Sequence, residues 1–232
     1  FSSKSNNLFR YSDGELKELT KEFQVERSTI LAIEEGRGGY IYFGTDDSRL
    51  IRYSPEGTIL NHQLDEDVNG INTMVYANGL LYMGTGNGLF LWDGTELIES
   101  SVLKKTTINS IHFDKNKTIW LGTMKGLFRY NQQLIPNLDS LTEETGIPNN
   151  IVEDLIFDSE GNLWVGTYRS GIFYLGDGSI TSFTKNDGLV SNIISSVTEI
   201  DENVFLLGNE NGRLNLLKDG EVTEYTPPVP IP

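Results

Sequence analysis

The 232-residue chain has a net charge of −15 and contains no cysteine. So acidic a surface repels phosphate backbones and anionic lipid, and no stretch approaches the roughly 20 apolar residues that span a bilayer. We therefore expect neither nucleic-acid binding nor direct membrane insertion, and the missing cysteine excludes disulfides, cysteine nucleophiles and thiolate metal sites.

The chain opens with what reads as half of a repeat. Leu8-Phe9-Arg10-Tyr11, followed by Asp13-Gly14, matches Leu127–Tyr130 and its turn further along. The match predicts a third strand, a turn and a fourth strand over 15–23, without the first two strands of that repeat. Residue 1 does not open a signal peptide, so we expect any export signal to lie outside this sequence or to have been removed.

Five copies of one phrase follow: an apolar run with an aromatic residue, Gly-Thr, and a second apolar run, with Gly-Asn in place of Gly-Thr in the degraded fifth copy. The marker glycines stand 40, 38, 44 and 42 residues apart, at Gly44, Gly84, Gly122, Gly166 and Gly208. A fixed period of about 40 predicts stacked supersecondary units. The predicted boundaries are a half-blade at 1–25, repeats at about 26–67, 68–105, 106–148, 149–190 and 191–226, and a Pro-rich exit linker at 227–232.

The fourth copy shows how one repeat is divided. Its pattern predicts strands at 151–157, 163–167, 171–175 and 179–183, with a turn that contains Gly161. Four short strands per 40 residues are typical of a β-propeller blade. The predicted fold is therefore an all-β propeller of five full repeats plus a half-blade. It is either a fragment of a larger array or a ring closed irregularly by the half-blade.

The segment 158–167 (DSEGNLWVGT), followed by Gly171-Ile172, resembles the two-component-regulator propeller repeat, as do the segments 146–152 and 186–194 between repeats. The resemblance implies a periplasmic or extracellular sensor domain of bacterial hybrid histidine kinases. It also implies glycans or their breakdown products as ligands, and a neighbouring propeller, an immunoglobulin-like domain or a second copy as partners. The repeat motif carries no catalytic residue, and we expect no cofactor.

Positions that all copies share are expected to hold blades together. Tyr42, Tyr82, Trp120 and Trp164 occupy one repeat position, so the sequence predicts packing between blades rather than platforms for sugar rings. Function is expected where the copies differ, in the loops between second and third strands, which should share one face with the segments between blades. The predicted ligand-binding residues are Asp46, Asp47, Asn87, Lys125, Tyr168, Arg169, Glu210 and Asn211.

Other candidates carry less. The longest segment between repeats, 131–150, could shape a rim or be an ordinary insertion. His62 and His112 lack paired metal-ligand spacing, so packing or surface roles are expected. The sequence favours non-catalytic ligand sensing and leaves two alternatives open: a protein-binding scaffold in a cell-surface assembly, and a propeller lyase.

Overall fold

The computed structural model describes residues 7–131, 137–141, 147, 151–176 and 179–227. These residues form β-strands joined by tight turns and short 3-10 turns, one of them at Glu66–Val68. The chain divides into two compact units, Phe1–Ile108 and Asn109–Pro232.

The first unit begins with a two-stranded half-sheet, β1 and β2, followed by the four-stranded sheets 1 (β3 to β6) and 2 (β7 to β10). Their strands are β1 Phe9–Ser12, β2 Glu15–Glu18, β3 Ile30–Glu35, β4 Ile41–Thr45, β5 Arg49–Tyr53, β6 Ile59–Gln63, β7 Ile71–Ala77, β8 Leu80–Thr85, β9 Gly88–Trp92 and β10 Leu97–Glu99.

Three further four-stranded sheets follow: sheet 3 (β11 to β14), sheet 4 (β15 to β18) and sheet 5 (β19 to β22). They belong to the second unit, except that Ile108, the first residue of sheet 3, is the last residue of the first unit. Their strands are β11 Ile108–Phe113, β12 Ile119–Thr123, β13 Gly126–Asn131, β14 Asn137–Leu141, β15 Val152–Phe157, β16 Leu163–Thr167, β17 Ile172–Gly176, β18 Ser179–Phe183, β19 Ile194–Asp201, β20 Val204–Asn209, β21 Leu214–Lys218 and β22 Glu221–Tyr225.

Every sheet is an antiparallel meander in chain order, which confirms the predicted blades of four strands and the N-terminal half-blade. One strand is shorter than predicted. β2 ends at Glu18, and the chain then turns, with Phe23 donating its N–H to Leu19 and Val25 donating to Thr20. The turn brings Phe23 and Val25 against sheet 1, where both are buried. A straight strand over 15–23 was therefore wrong because burying these two side chains requires the chain to bend.

The inner strands are apolar on both faces because successive sheets pack face to face. Tyr42, Tyr82 and Trp164 are 6%, 1% and 8% exposed, which confirms the packing role predicted for these three, whereas Trp120 at the same position is only half-buried. Trp164 contacts the rings of Tyr174 and Phe183 in its own sheet, and Phe205 in sheet 5 at 4.4 Å between centroids. Full burial of such a side chain contributes roughly 1.5–3 kcal/mol.

The marker glycines allow close approach between strands of successive sheets. A Cβ on Gly44 would lie 2.6 Å from Ile71 Cγ2, one on Gly122 would lie 2.6 Å from Val152 Cγ1, and one on Gly166 would lie 2.9 Å from Ile194 Cγ2. Each partner is the first residue of the next sheet's first strand. None of these glycines has a positive φ, so the glycine is needed for packing and not for a bend in the chain.

The threonine that follows four of the five marker glycines closes the next loop. Thr123 Oγ1 donates to the Gly126 carbonyl at 2.8 Å and accepts from the Lys125 N–H at 2.9 Å. Thr85 and Thr167 make the corresponding pairs of bonds, and Thr45 Oγ1 accepts from the Arg49 N–H at 2.9 Å. In the fifth copy, Asn209 Oδ1 instead accepts from the Asn211 N–H at 3.2 Å. The Gly-Thr phrase is thus structural at both of its residues.

Candidate functional site

The loops between second and third strands lie beside the segment that enters the same sheet. Tyr168 donates its N–H to the Ile151 carbonyl at 3.1 Å, and Asp46 donates to Thr29 at 3.0 Å. Gly86 makes the same bond to Asn69 at 3.1 Å. In each unit, therefore, the variable loops and the segments between sheets share one edge, which we call the loop edge.

Among the described residues, Tyr168 and Arg169 are the only two predicted ligand-binding residues whose side chains contact each other. The guanidinium carbon lies 4.7 Å from the centroid of the tyrosine ring, and Arg169 Nη2 donates to the phenol oxygen at 3.2 Å. Arg169 is exposed and the ring is half-buried. A guanidinium over a ring keeps several N–H donors for another molecule, since one of five is engaged here.

The backbone of Arg169 is strained. Its φ is 83°, whereas φ of the ten other described non-glycine residues with positive values lies between 50° and 63°. A bulky residue in a sparsely populated region costs on the order of 1–3 kcal/mol, and such strain clusters at functional sites. The unusual φ of Arg169 therefore points to this residue independently of the sequence pattern that predicted it.

The other predicted ligand-binding residues of the second unit, in the loops of sheets 3 and 5, also lie on its loop edge. Lys125 is exposed in the loop after β12. Glu210 and Asn211 are exposed in the loop after β20, where Glu210 accepts a hydrogen bond from the Ser191 hydroxyl at 3.2 Å. Cationic, anionic and amide side chains therefore occupy corresponding loops of three successive sheets within this unit.

In the first unit, Asp47 is engaged by its own surroundings. It accepts from the hydroxyls of Ser28 at 2.7 Å and Thr45 at 2.5 Å, and pairs with Arg49 at 3.1 Å. Partial burial raises the pKa of Asp47, but these hydrogen bonds and the Arg49 charge outweigh burial and lower it. The carboxylate thus stays ionised, with its oxygens directed at the protein.

Asp46 and Asn87 are likewise bonded to nearby backbone. Asp46 Oδ1 accepts from the Thr29 N–H at 2.9 Å, and Asn87 Nδ2 donates to the Asp67 carbonyl at 2.8 Å. These three predicted residues of the first unit fasten loops to the segments that enter their sheets. Their assignment as ligand contacts stays a prediction.

The histidines lie within the sheets. His62, on β6, packs against Trp92 with ring centroids 4.9 Å apart. Burial lowers the pKa of both His62 and His112, with the Arg52 charge adding to the effect at His62. Among the described residues, no group of three or more His, Cys, Asp or Glu side chains is arranged to hold a metal ion.

Two buried polar arrangements were missed in the sequence. Trp164 Nε1 donates to Asp158 at 2.9 Å, and Trp120 Nε1 donates to Asp114 at 3.2 Å, so each indole fastens the turn before its strand. The signal was present as an aspartate six residues before the tryptophan in the two copies that have a tryptophan at this position.

Asp154 is the second missed residue. Its carboxylate accepts from the Ser110 hydroxyl at 3.0 Å, the Leu155 N–H at 2.9 Å and the Val197 N–H at 2.8 Å. It therefore joins sheets 3, 4 and 5 within the second unit. Burial raises its pKa, and the hydrogen bonds from Val197, Ser110 and Leu155 offset part of that rise. The residue pattern of one strand does not reveal a side chain such as Asp154, whose hydrogen bonds connect three repeats.

The segment 131–150 falls largely outside the described residues, and so does most of the Pro-rich end predicted as an exit linker. The described part of the chain contains no helix with the length and apolar character needed to cross a membrane.

Within each unit, four-stranded meanders pack face to face and carry their variable loops on one edge, which is the arrangement of β-propeller blades. Residues 146–169 match the family model described as "Two component regulator propeller". This confirms the resemblance read from the sequence for a repeat of that type at these residues, within a chain that has the β-propeller fold. No curated protein matches it significantly.

Solved structures agree on the fold. An extracellular domain of a putative hybrid two component system from B. thetaiotaomicron is 16% identical, with a TM-score of 0.70 over 97% of this chain and 38% of that chain. PorZ, a surface component of the type-IX secretion system of Porphyromonas gingivalis, is 18% identical, with a TM-score of 0.72 over 94% of this chain and 36% of that chain.

A lyase shares the same architecture. Virginiamycin B lyase from Staphylococcus aureus is 16% identical, with a TM-score of 0.68 over 87% of this chain and 71% of that chain. At such identities the likeness establishes the propeller fold alone, because one fold hosts many functions.

Proposed function

We propose that this domain is a non-catalytic, extracytoplasmic sensing propeller of a bacterial signalling receptor that binds a carbohydrate or its breakdown product at the loop edge of the second unit. The observation that carries the proposal is the Tyr168–Arg169 pair, a stacked guanidinium and phenol held on strained backbone. The extracellular domains of putative hybrid two component systems that share the fold support this proposal.

The chemistry of the pair suits a sugar. An aromatic ring packs against the apolar face of a pyranose, and the guanidinium offers several donors to hydroxyls or to a carboxylate. Lys125 and Glu210, exposed on the neighbouring sheets, add one donor group and one acceptor group. The arrangement therefore favours a neutral or acidic oligosaccharide that spans more than one loop.

Sensing requires that binding changes an equilibrium. We propose that the ligand shifts how two copies, or this domain and a neighbouring propeller or immunoglobulin-like domain, associate. A ligand does so only as far as its affinities for the two arrangements differ. The domain then needs no chemistry of its own.

The test is calorimetry of the 232-residue chain against neutral and uronate oligosaccharides. Tyr168→Ala and Arg169→Ala are each expected to weaken binding at least tenfold, equivalent to about 1.4 kcal/mol. Lys218→Ala removes an exposed cation at the last residue of β21, at the end of the strand opposite the loop edge, and is expected to leave affinity unchanged. Equal affinity in all variants would remove the site.

The same experiment separates the alternatives. If no sugar binds and the chain instead forms a stable complex with a surface protein, it is a scaffold. If a polyuronate is cleaved and turnover is lost in His112→Ala, it is a lyase. Sedimentation velocity with and without the best ligand then tests the proposed change of association state.

A further inference from the structure

Trp120 and Trp164 occupy the same repeat position, but the two indole rings are covered differently. Trp164 is 8% exposed, and its ring centroid lies 4.4 Å from that of Phe205 in the next sheet. Trp120 is only half-buried, and Phe157 of the next sheet meets its ring edge-on, with 5.9 Å between the centroids. The boundary between sheets 3 and 4 is therefore less completely filled around its indole than the boundary between sheets 4 and 5.

A difference between the repeats accounts for the looser packing. Phe205 stands three residues before Gly208, and Leu163 stands three residues before Gly166, so a leucine takes the place of the phenylalanine at the boundary with Trp120. A leucine side chain lacks the planar ring that packs against Trp164. The space beside Trp120 therefore has the dimensions that an aromatic ring fills one sheet further along.

A cavity of about 320 Å³ lies at this boundary, within the second unit. It opens beside the turns at 114–118 and 158–162, at the edge of the sheets opposite the loop edge. We call it the indole cavity. Its apolar walls are formed by Trp120, Phe157, Leu163 and Leu175.

The charges around the indole cavity balance. Asp114, Lys115 and Glu160 line it, and the guanidinium carbon of Arg129 lies 5.7 Å from the centroid of the Trp120 ring. Two cationic and two anionic side chains of the described residues thus lie at the cavity. A neutral ligand gains most from such a site, because a charged one meets as much repulsion as attraction.

Lys115 supplies the hydrogen-bond donor at the mouth of the cavity. Its Nζ donates to the Glu160 carbonyl at 3.0 Å, which fastens the turn of sheet 3 to the turn of sheet 4. An ammonium group has three donors, so this bond leaves two for a ligand. The side chain is exposed, and a ligand that enters between the two turns passes it.

We propose that the indole cavity binds a small neutral aromatic alcohol of the phenol class. Its ring packs beside Trp120 as the ring of Phe205 packs beside Trp164, and its hydroxyl oxygen accepts a hydrogen bond from Lys115. An apolar cavity of about 150 Å³ holds benzene. The indole cavity, at about 320 Å³, therefore has room for one ring or two fused rings. This site is separate from the Tyr168–Arg169 pair and needs neither of those side chains.

The test is a ligand-observed NMR titration of the 232-residue chain with phenol, naphthol and cyclohexanol. Cyclohexanol has the hydroxyl and the six ring carbons of phenol without the aromatic system. Phenol is expected to bind at least about threefold more tightly than cyclohexanol, because edge-on and offset contacts with Trp120 and Phe157 favour an aromatic ring. Naphthol is expected to bind more tightly than phenol. Equal affinities for phenol and cyclohexanol, or no binding of either aromatic compound, overturn the proposal.

Leu163→Phe places in sheet 4 the side chain that sheet 5 carries at the same position. The new ring is expected to occupy the indole cavity, to abolish naphthol binding and to leave the unfolding midpoint equal or higher. Naphthol affinity that is unchanged in a folded Leu163→Phe variant shows that the cavity is not the site.

Lys115→Met tests the site without altering its core. The substitution keeps an unbranched side chain and removes the ammonium, so the fold is expected to persist while naphthol affinity falls at least about threefold. Lys218→Met removes an equally exposed cation at the same edge of sheet 5 and is expected to leave the affinity unchanged. Equal naphthol affinity in the two lysine variants refutes the hydrogen bond from Lys115 and with it the proposed ligand class.

Discussion

Replacing Gly44 with alanine tests the packing role assigned to the marker glycines. The new Cβ would lie 2.6 Å from Ile71 Cγ2, 2.8 Å from Ile71 Cβ and 3.2 Å from the Ile71 carbonyl oxygen. Ile71 is fully buried and begins β7, so neither its backbone nor its branched side chain can move away cheaply. Sheets 1 and 2 must separate locally, or Ile71 must leave its rotamer.

The expected loss follows from two opposing effects. Overpacking a well-filled core costs typically 1–3 kcal/mol. Alanine in place of glycine at ordinary φ gains about 0.4–1 kcal/mol by restricting the unfolded chain. Gly44→Ala should therefore lower the free energy of unfolding by about 1–2 kcal/mol. For a chain of this size, that loss corresponds to a midpoint lower by roughly 2–8 °C.

Gly208→Ala is the internal control. A Cβ there would approach only the hydroxyl of Ser196, at 2.3 Å, with the next atom of that residue at 3.7 Å. A serine hydroxyl rotates away at little cost, so this variant is expected to be neutral or stabilised by up to about 1 kcal/mol. Urea denaturation at equal m-values measures both variants.

A double variant identifies the atom responsible. Ile71→Ala removes Cγ2, so Gly44→Ala should cost less in that background than in the native chain, with a coupling of about 0.5–3 kcal/mol. If Gly44→Ala and Gly208→Ala change stability equally, or if the two substitutions at Gly44 and Ile71 are additive, the packing explanation is refuted.

Three further outcomes are expected. Arg169→Gly should relieve backbone strain and stabilise the chain by up to about 1 kcal/mol, while it weakens sugar binding as Arg169→Ala does. Thermal melts measure the stability and calorimetry measures the binding, and a destabilised variant contradicts the backbone strain. Trp164→Phe should cost about 1–3 kcal/mol in urea, because the charged hydrogen bond to Asp158 is lost, and Asp158→Asn should add little to it. Burial raises the pKa of Asp154, so its contribution to stability is complete below the usual pKa of about 3.9 and declines as pH rises through the raised value. The stability difference between the native chain and Asp154→Asn should therefore fall across that range, and a constant difference excludes the effect.

The sequence predicted the architecture because its period repeats five times. Each copy of the Gly-Thr phrase locates two strands, and the turns between copies locate the others, so the errors of one copy are corrected by the rest. The strand predicted at 15–23 had no complete repeat around it, and there the bend that buries Phe23 was missed. Tertiary burial decided that bend, and a pattern of local residues does not contain it.

The reason for the marker glycines also lies outside any single repeat. A glycine between two strands suggests a bend when the chain is read one repeat at a time. The actual constraint involves Ile71 or Ile194, which lie 27 or 28 residues further along in the next sheet. Asp154 escaped notice for the same reason, since its partners Ser110 and Val197 belong to two other repeats.

At the candidate site, the backbone conformation of Arg169 departs from the one that its residue type prefers. Half of the ten other described non-glycine residues with positive φ are Asp or Asn, side chains that tolerate this region because they bond locally to the backbone. The other half, which includes Leu103 and Lys105, keeps φ between 54° and 63°, near the ordinary left-handed value. The φ of Arg169, 83°, lies furthest from that value. A natural sequence breaks a local rule chiefly where function compensates. Shared positions couple one sheet to the next, so a substitution there changes stability. A substitution at Arg169 is expected to change binding and stability in opposite directions, which separates a binding residue from a structural one.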